Sequence, residues 1–187
     1  HGAFAMAGGY AGFIFVNRWG LPFFAALPFA FLVSAAIGAV LSVHARRGEY
    51  LPGWHPWEDY HGSYSARRDL GGGALLTLSH PFDYLRWILG EVAAVSAEIG
   101  TGDYLGLEVD TSAEVILEME SGALVSVHLN YHQRPPRHDL QLIGELGTIE
   151  WDEGSSAVRW WTAERGDWVE EAAPEGFERN SMFLEEM

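Results

Sequence analysis

The chain has 187 residues, no cysteine, and 11 basic against 26 acidic side chains, a net of −15, with every basic residue an arginine. Without cysteine there is no disulfide scaffold, thiolate zinc site or thiol catalysis, which fits a reducing, cytoplasmic setting. Without lysine there is no Schiff-base chemistry or Walker-type phosphate loop, and the acidic balance argues against nucleic-acid partners.

Residues 1–50 carry Arg18, Arg46, Arg47 and Glu49, a net of +2, so residues 51–187 carry −17. Such a change predicts two units, an apolar helical segment over residues 1–43 and an acidic domain over residues 44–187. Residues 21–43 contain no ionisable group. As a helix they would reach about 34 Å, enough to cross a hydrocarbon layer of about 30 Å. Residues 2–16 are apolar and rich in small side chains, and residues 17–20 (NRWG) read as an interfacial loop between two spans. One or two apolar, transmembrane-like helices are therefore predicted ahead of the acidic domain. HGAFAMAGGYAGF and VNRWGLPFFAALPFAFLVSAAIG resemble part of two adjacent spans of branched-chain amino acid transporter permeases. One or two spans cannot enclose a translocation path, so a membrane is a partner only if this leader is native.

Beyond residue 43 the apolar spacing changes to period two, the signature of half-buried strands. Residues 114–120 (EVILEME) and 123–131 (ALVSVHLNY) flank Ser121-Gly122 and predict a hairpin with one buried and one wet face. Further strands are predicted over residues 92–99, 139–144, 148–151 and 157–162. One helix is predicted between Gly73 and Leu89, ended by Gly90, and a second from about residue 177 to the last residue. Pro81 disfavours helical geometry at His80, so the first helix is expected to kink or to begin there. Together these elements give an α+β domain, an open, mostly antiparallel sheet with helices on one face.

Residues 50–69 (YLPGWHPWEDYHGSYSARRD) combine aromatic rings with carboxylates and arginines, as a site for a hydroxylated ring would; the same loop could equally be pinned to the core by Trp54 and Trp57. Gly71-Gly72-Gly73 permits close backbone approach to a ligand but lacks the G-x-G-x-x-G pattern. Thr77, His80 and Asp83 stand three apart and would share one face of a helix, where His80 could exchange a proton and Asp83 could fix its tautomer. His128 and His132 would share one strand face, open either to a metal or to solvent. Residues 133–137 (QRPPR) read as a rigid arginine-bearing loop suited to an anion.

YLPGWHPWEDY, SYSARRDLGGGALL, HPFDYLRWILGEV, TSAEVILEMESGALVSVHLNYHQRPPR and LIGELGTIEWD resemble, in order, the C-terminal substrate-binding domain of the Gfo/Idh/MocA family of NAD(P)-dependent oxidoreductases, over about residues 38–187. The resemblance implies NAD or NADP, held mainly by a preceding Rossmann domain whose Glu-Lys-Pro motif supplies a lysine acid/base; this sequence contains neither motif. It implies that His80 handles the substrate hydroxyl proton and puts Thr77 where relatives carry an aspartate, which removes a charge beside His80. Trp54, His55, Arg67, Asp83 and Arg134 fall by the same likeness near a sugar or nucleotide-sugar pocket. It further implies a homo-oligomer formed through the open sheet face. The rival from another class is a non-catalytic, membrane-anchored sugar-binding module. The first residue, His1, and a last helix without a stop signal give the expectation of a piece of a longer enzyme, inactive alone.

Overall fold

The computed structural model describes residues 37–155 and 157–172. In chain order these form β1 (Val40–Tyr50), α1 (Ala74–Thr77), α2 (His80–Leu89), β2 (Val92–Gly100), β3 (Ser112–Met119), β4 (Leu124–Asn130), β5 (His132–Gly144), β6 (Gly147–Asp152), β7 (Ala157–Thr162) and β8 (Trp168–Ala172). Four short 3-10 turns between Leu51 and Leu70 join β1 to α1. The strands make one sheet in the order β2-β3-β4-β1-β5-β6-β7-β8. Every pairing is antiparallel except that of β1 with β4. The open, mostly antiparallel sheet with helices on one face is thus as expected.

Period-two spacing decides which face is dry. Val43 and Ala45 of β1, Val115 and Leu117 of β3, Val125, Val127 and Leu129 of β4, and Leu140 and Leu142 of β5 form the buried side. α1 packs on β3 and β4, and α2 on β1. Pro81, Leu85, Ile88 and Leu89 are the buried positions of α2, spaced as one stripe of a helix. The opposite face is polar and cross-linked. His44 bonds Ser126 at 2.7 Å, His128 bonds Glu114, Arg46 reaches Asp139 at 2.9 Å, and Gln141 donates to Glu150 at 2.7 Å. Val127 lies at the centre of the dry face with no exposed surface. Truncating Val127→Ala removes two methyl groups and leaves a cavity, and is expected to cost about 2 kcal/mol in a urea titration.

Several expectations need correction. Val40–Val43, read as the end of a spanning helix, open β1, because alternation of Val43 and Ala45 with His44 and Arg46 buries one side of a strand. The rest of the 21–43 run up to residue 36, the segment 2–16 and the helix from residue 177 lie outside the described residues. Among the described residues no helix is long and apolar enough to cross a membrane. The single helix over 73–89 is two: α1 closes at Thr77, and α2 opens at His80 with Pro81 in its first turn, where no backbone N–H is required. Residues 133–136 are not a free loop but the outer part of β5. There the register with β1 jumps from Gly48–Arg137 to Tyr50–His132, so the prolines sit in a bulge where no ladder donor is needed. β4 ends at Asn130 and β5 begins at His132, so His128 and His132 lie on different strands and do not share a strand face.

Candidate active site

His80 opens α2, and Tyr84 follows one turn later on the same side of the helix. That side faces β1 and β5. The Tyr84 hydroxyl is 3.4 Å from Nε2 of His138 on β5, and the two rings lie 6.0 Å apart. His80 is near enough for its charge to act on His138. On the other side of the His138 ring, Arg47 Nη1 is 3.3 Å from Nδ1 and Glu153 Oε2 is also 3.3 Å from it. The Glu153 N–H donates to the His138 carbonyl at 2.9 Å, which fixes that turn in place. Arg47 is itself largely buried and donates through Nη2 to Glu49 at 2.9 Å. Trp151 closes the set edge-on at 4.7 Å from the imidazole.

The chemistry follows from burial. Arg47 only donates and Glu153 only accepts, so they compete for one nitrogen. Burial, and then the Arg47 charge, push His138 down from 6.5 to about 4 against the opposing pull of Glu153. His138 is therefore neutral at pH 7. The unfolded chain binds more protons between those values, so stability is fully present above about pH 6.5 and is lost as pH falls toward 4. The expected slope is at most about 1.4 kcal/mol per pH unit. Chemical denaturation at pH 4.5, 5.5 and 6.5 measures it, and His138→Gln should flatten it.

The other expected site residues fall into separate local sets. Thr77 ends α1, so it does not share a helix face with His80. Its hydroxyl is buried beside the Tyr131 phenol, which burial pushes up to about 12 and which donates to the Ser65 carbonyl at 3.3 Å. Asp83 is exposed in the first turn of α2 and adds to the negative field at Arg86. Trp54 packs edge-on to Tyr131 at 5.8 Å, and His55 is exposed against Trp57 at 5.4 Å. Arg67 grips Asp69 at 3.0 and 2.5 Å and lines an open depression with His61, Arg68 and Glu108. Arg134 lies 3.8 Å over the Tyr50 ring and donates to the Tyr104 hydroxyl at 3.0 Å. His128, considered for a metal, is held instead by Glu114 and Asn130, and among the described residues no cluster of three metal-binding side chains occurs.

Sequence reasoning missed Arg47, Tyr84, His138, Trp151 and Glu153. The one available signal was the four-residue interval from His80 to Tyr84; the rest depends on sheet register. The triple glycine also has a different role from the one expected. A Cβ on Gly72 would lie 2.5 Å from the Tyr64 carbonyl oxygen, and one on Gly73 would lie 2.1 Å from Asp110 Oδ1. At Gly72 and Gly73 the chain itself fills the close approach, whereas a Cβ on Gly71 would meet nothing within 4 Å.

An open sheet backed by helices, with a histidine at the start of one helix and a buried polar set beneath it, makes a mixed α+β domain. A model of the GFO/IDH/MocA C-terminal domain matches residues 30–150. The chain belongs to that family. Among solved structures it is similar to levoglucosan dehydrogenase in complex with NADH and levoglucosan, at 19% identity and a TM-score of 0.66, covering 79% of this chain and 45% of that one. It is also similar to a putative oxidoreductase from Thermotoga maritima (22%, TM-score 0.64, 83% and 49%). An inositol dehydrogenase homolog from Azotobacter vinelandii, complexed with NAD+, gives 14%, a TM-score of 0.67, and coverages of 93% and 43%. At these identities the likeness shows the fold. The chain spans less than half the length of each of these structures. No curated protein matches the sequence.

Proposed function

We propose that this chain is the substrate-handling part of an NAD(P)-dependent oxidoreductase that acts on a CH–OH group of a sugar or nucleotide sugar. The observation that carries the reading is His80, exposed at the start of α2 inside the family's matched region and backed by Tyr84, Arg47, His138 and Glu153. In oxidation His80 accepts the proton of the substrate hydroxyl as the carbon loses hydride. The family likeness assigns Arg67, Arg134, Trp54 and His55 to the remaining hydroxyls, with Asp83 at the helix entrance, although each of the first four sits in its own local set. Solved relatives in complex with NADH and levoglucosan, and with NAD+, support the reaction class. The dinucleotide is assigned to residues other than the described ones. A homo-oligomer formed through the polar sheet face is part of the same reading.

The reading is tested by joining the chain to a nicotinamide-binding domain and following NADH or NADPH formation with a panel of polyols, anhydrosugars and nucleotide sugars. Turnover of at least one of them is the expected outcome. Saturable sugar binding with no reduced cofactor formed would favour a non-catalytic sugar-binding module.

A further inference from the structure

The His138 set lies under the helix that carries His80, and nothing in the family match or in the relatives' descriptions gives it a role. β1 contributes Arg47 with Glu49, α2 contributes His80 and Tyr84, and the turn after β6 contributes Glu153, so three elements meet on one imidazole. The hydroxyl of Tyr84 is a polar link from the first two turns of α2 to that ring, and it lies one turn from His80. A neutral ring suits this place. It takes a donated hydrogen bond from Arg47 on one nitrogen and pairs with the Tyr84 hydroxyl on the other. A protonated ring has no lone pair for Arg47 and would add a second buried cation beside the guanidinium.

We propose that His138 is a positioning residue for His80: its neutral ring seats the first turns of α2 on β1 and β5, and protonation of that ring releases them. The proposal deepens the reading of His80 as the proton-handling residue and rests on it for its functional meaning, but its test needs neither cofactor nor substrate. His138 never touches the reacting atoms. It acts through Tyr84 and the helix, and the direction of its titration follows from the same neighbours. Arg47 and a charged His80 oppose protonation, whereas Glu153 favours it.

The test is a pH titration of the chain with 13C-labelled histidine, from pH 7.5 to 3.5, recorded alongside tryptophan emission and far-UV circular dichroism. His80 and Trp151 signals are expected to change with one shared midpoint, that of His138, before any loss of far-UV signal. Glu153→Gln should move that midpoint to lower pH and Arg47→Gln should move it to higher pH. Tyr84→Phe, which deletes only the hydroxyl, should shift the His80 signal already at pH 7. His138→Gln should abolish the shared transition. A His80 signal indifferent to His138 protonation and to Tyr84→Phe would overturn the proposal. So would a midpoint that moves in the same direction in the Glu153 and Arg47 variants, or a transition that coincides with global unfolding. Glu153 is partly exposed, so its variant keeps the test informative even if Arg47→Gln does not fold. Failure of the sugar-oxidation assay would leave all of these outcomes unchanged.

Discussion

Gly73→Ala is expected to destabilise the domain by about 4 kcal/mol or more, the sum of a strained backbone and a lost cap. Gly73 has φ of +119°, a conformation that side-chain-bearing residues rarely adopt. A Cβ there would meet Asp110 Oδ1 at 2.1 Å, and Asp110 is no flexible surface group. Its Oδ2 accepts from the Leu75 N–H at 2.7 Å and its carbonyl accepts from the Ala74 N–H at 2.9 Å, so it holds the free amides at the start of α1. Displacing it uncaps α1, which packs on β3 and β4, and disturbs the turn that leads to His80. A urea titration of the variant against wild type reads the loss. A change below about 1 kcal/mol would show that Asp110 yields freely and that the glycine is not required there.

His80→Asn is expected to lower kcat by about 10²–10⁴-fold in the chain joined to a nicotinamide-binding domain, with KM changed far less. Asparagine keeps a polar group of similar reach but cannot take up a proton near neutral pH. Removing general-base catalysis therefore slows the chemical step without removing uniform binding. His80 is exposed at the start of α2 and outside the hydrophobic core, so the variant should fold with wild-type stability. A variant that keeps its kcat would assign the proton step to another group. A variant that loses only substrate affinity would make His80 a binding residue.

The dry half of the sheet was legible because its strands alternate cleanly. Val115, Leu117 and Val125, Val127, Leu129 bury one side at every second residue, and Ser121-Gly122 marks the turn between them. Strand β1 was hidden because residues 40–43 continue the apolar run before them, and two adjacent arginines then interrupt its polar–apolar alternation. Only pairing with β4 and β5 makes it a central strand. Strand β8 is a short edge strand, WVEEA, with too few residues for a period to emerge. The bulged half of β5 contains Pro135 and Pro136, which argue locally against a strand and are tolerated because the register skips them.

Of the candidate site, His80 was named through its motif, and the start of α2 there was legible from Pro81. Its supporting residues were not, since Arg47, His138 and Glu153 are dispersed along the chain and meet only through strand register. Thr77 illustrates the converse. Spacing put it on the face of His80, but the helix ends between them, and its hydroxyl turns to Tyr131. The glycines show how composition misleads about ligands: Gly72 and Gly73 are small for the sake of Tyr64, Ser65 and Asp110, all of this same chain.

The most direct measurement is a titration of the histidine-labelled chain with a panel of polyols and anhydrosugars, followed by 1H–13C spectra. The expected result is saturable binding of at least one of them with the largest shift at His80, and binding of similar affinity retained in His80→Asn. Binding whose largest shifts fall on His44 and His128 of the opposite sheet face, with His80 unmoved, would contradict the assignment of His80 as the residue that meets the substrate hydroxyl.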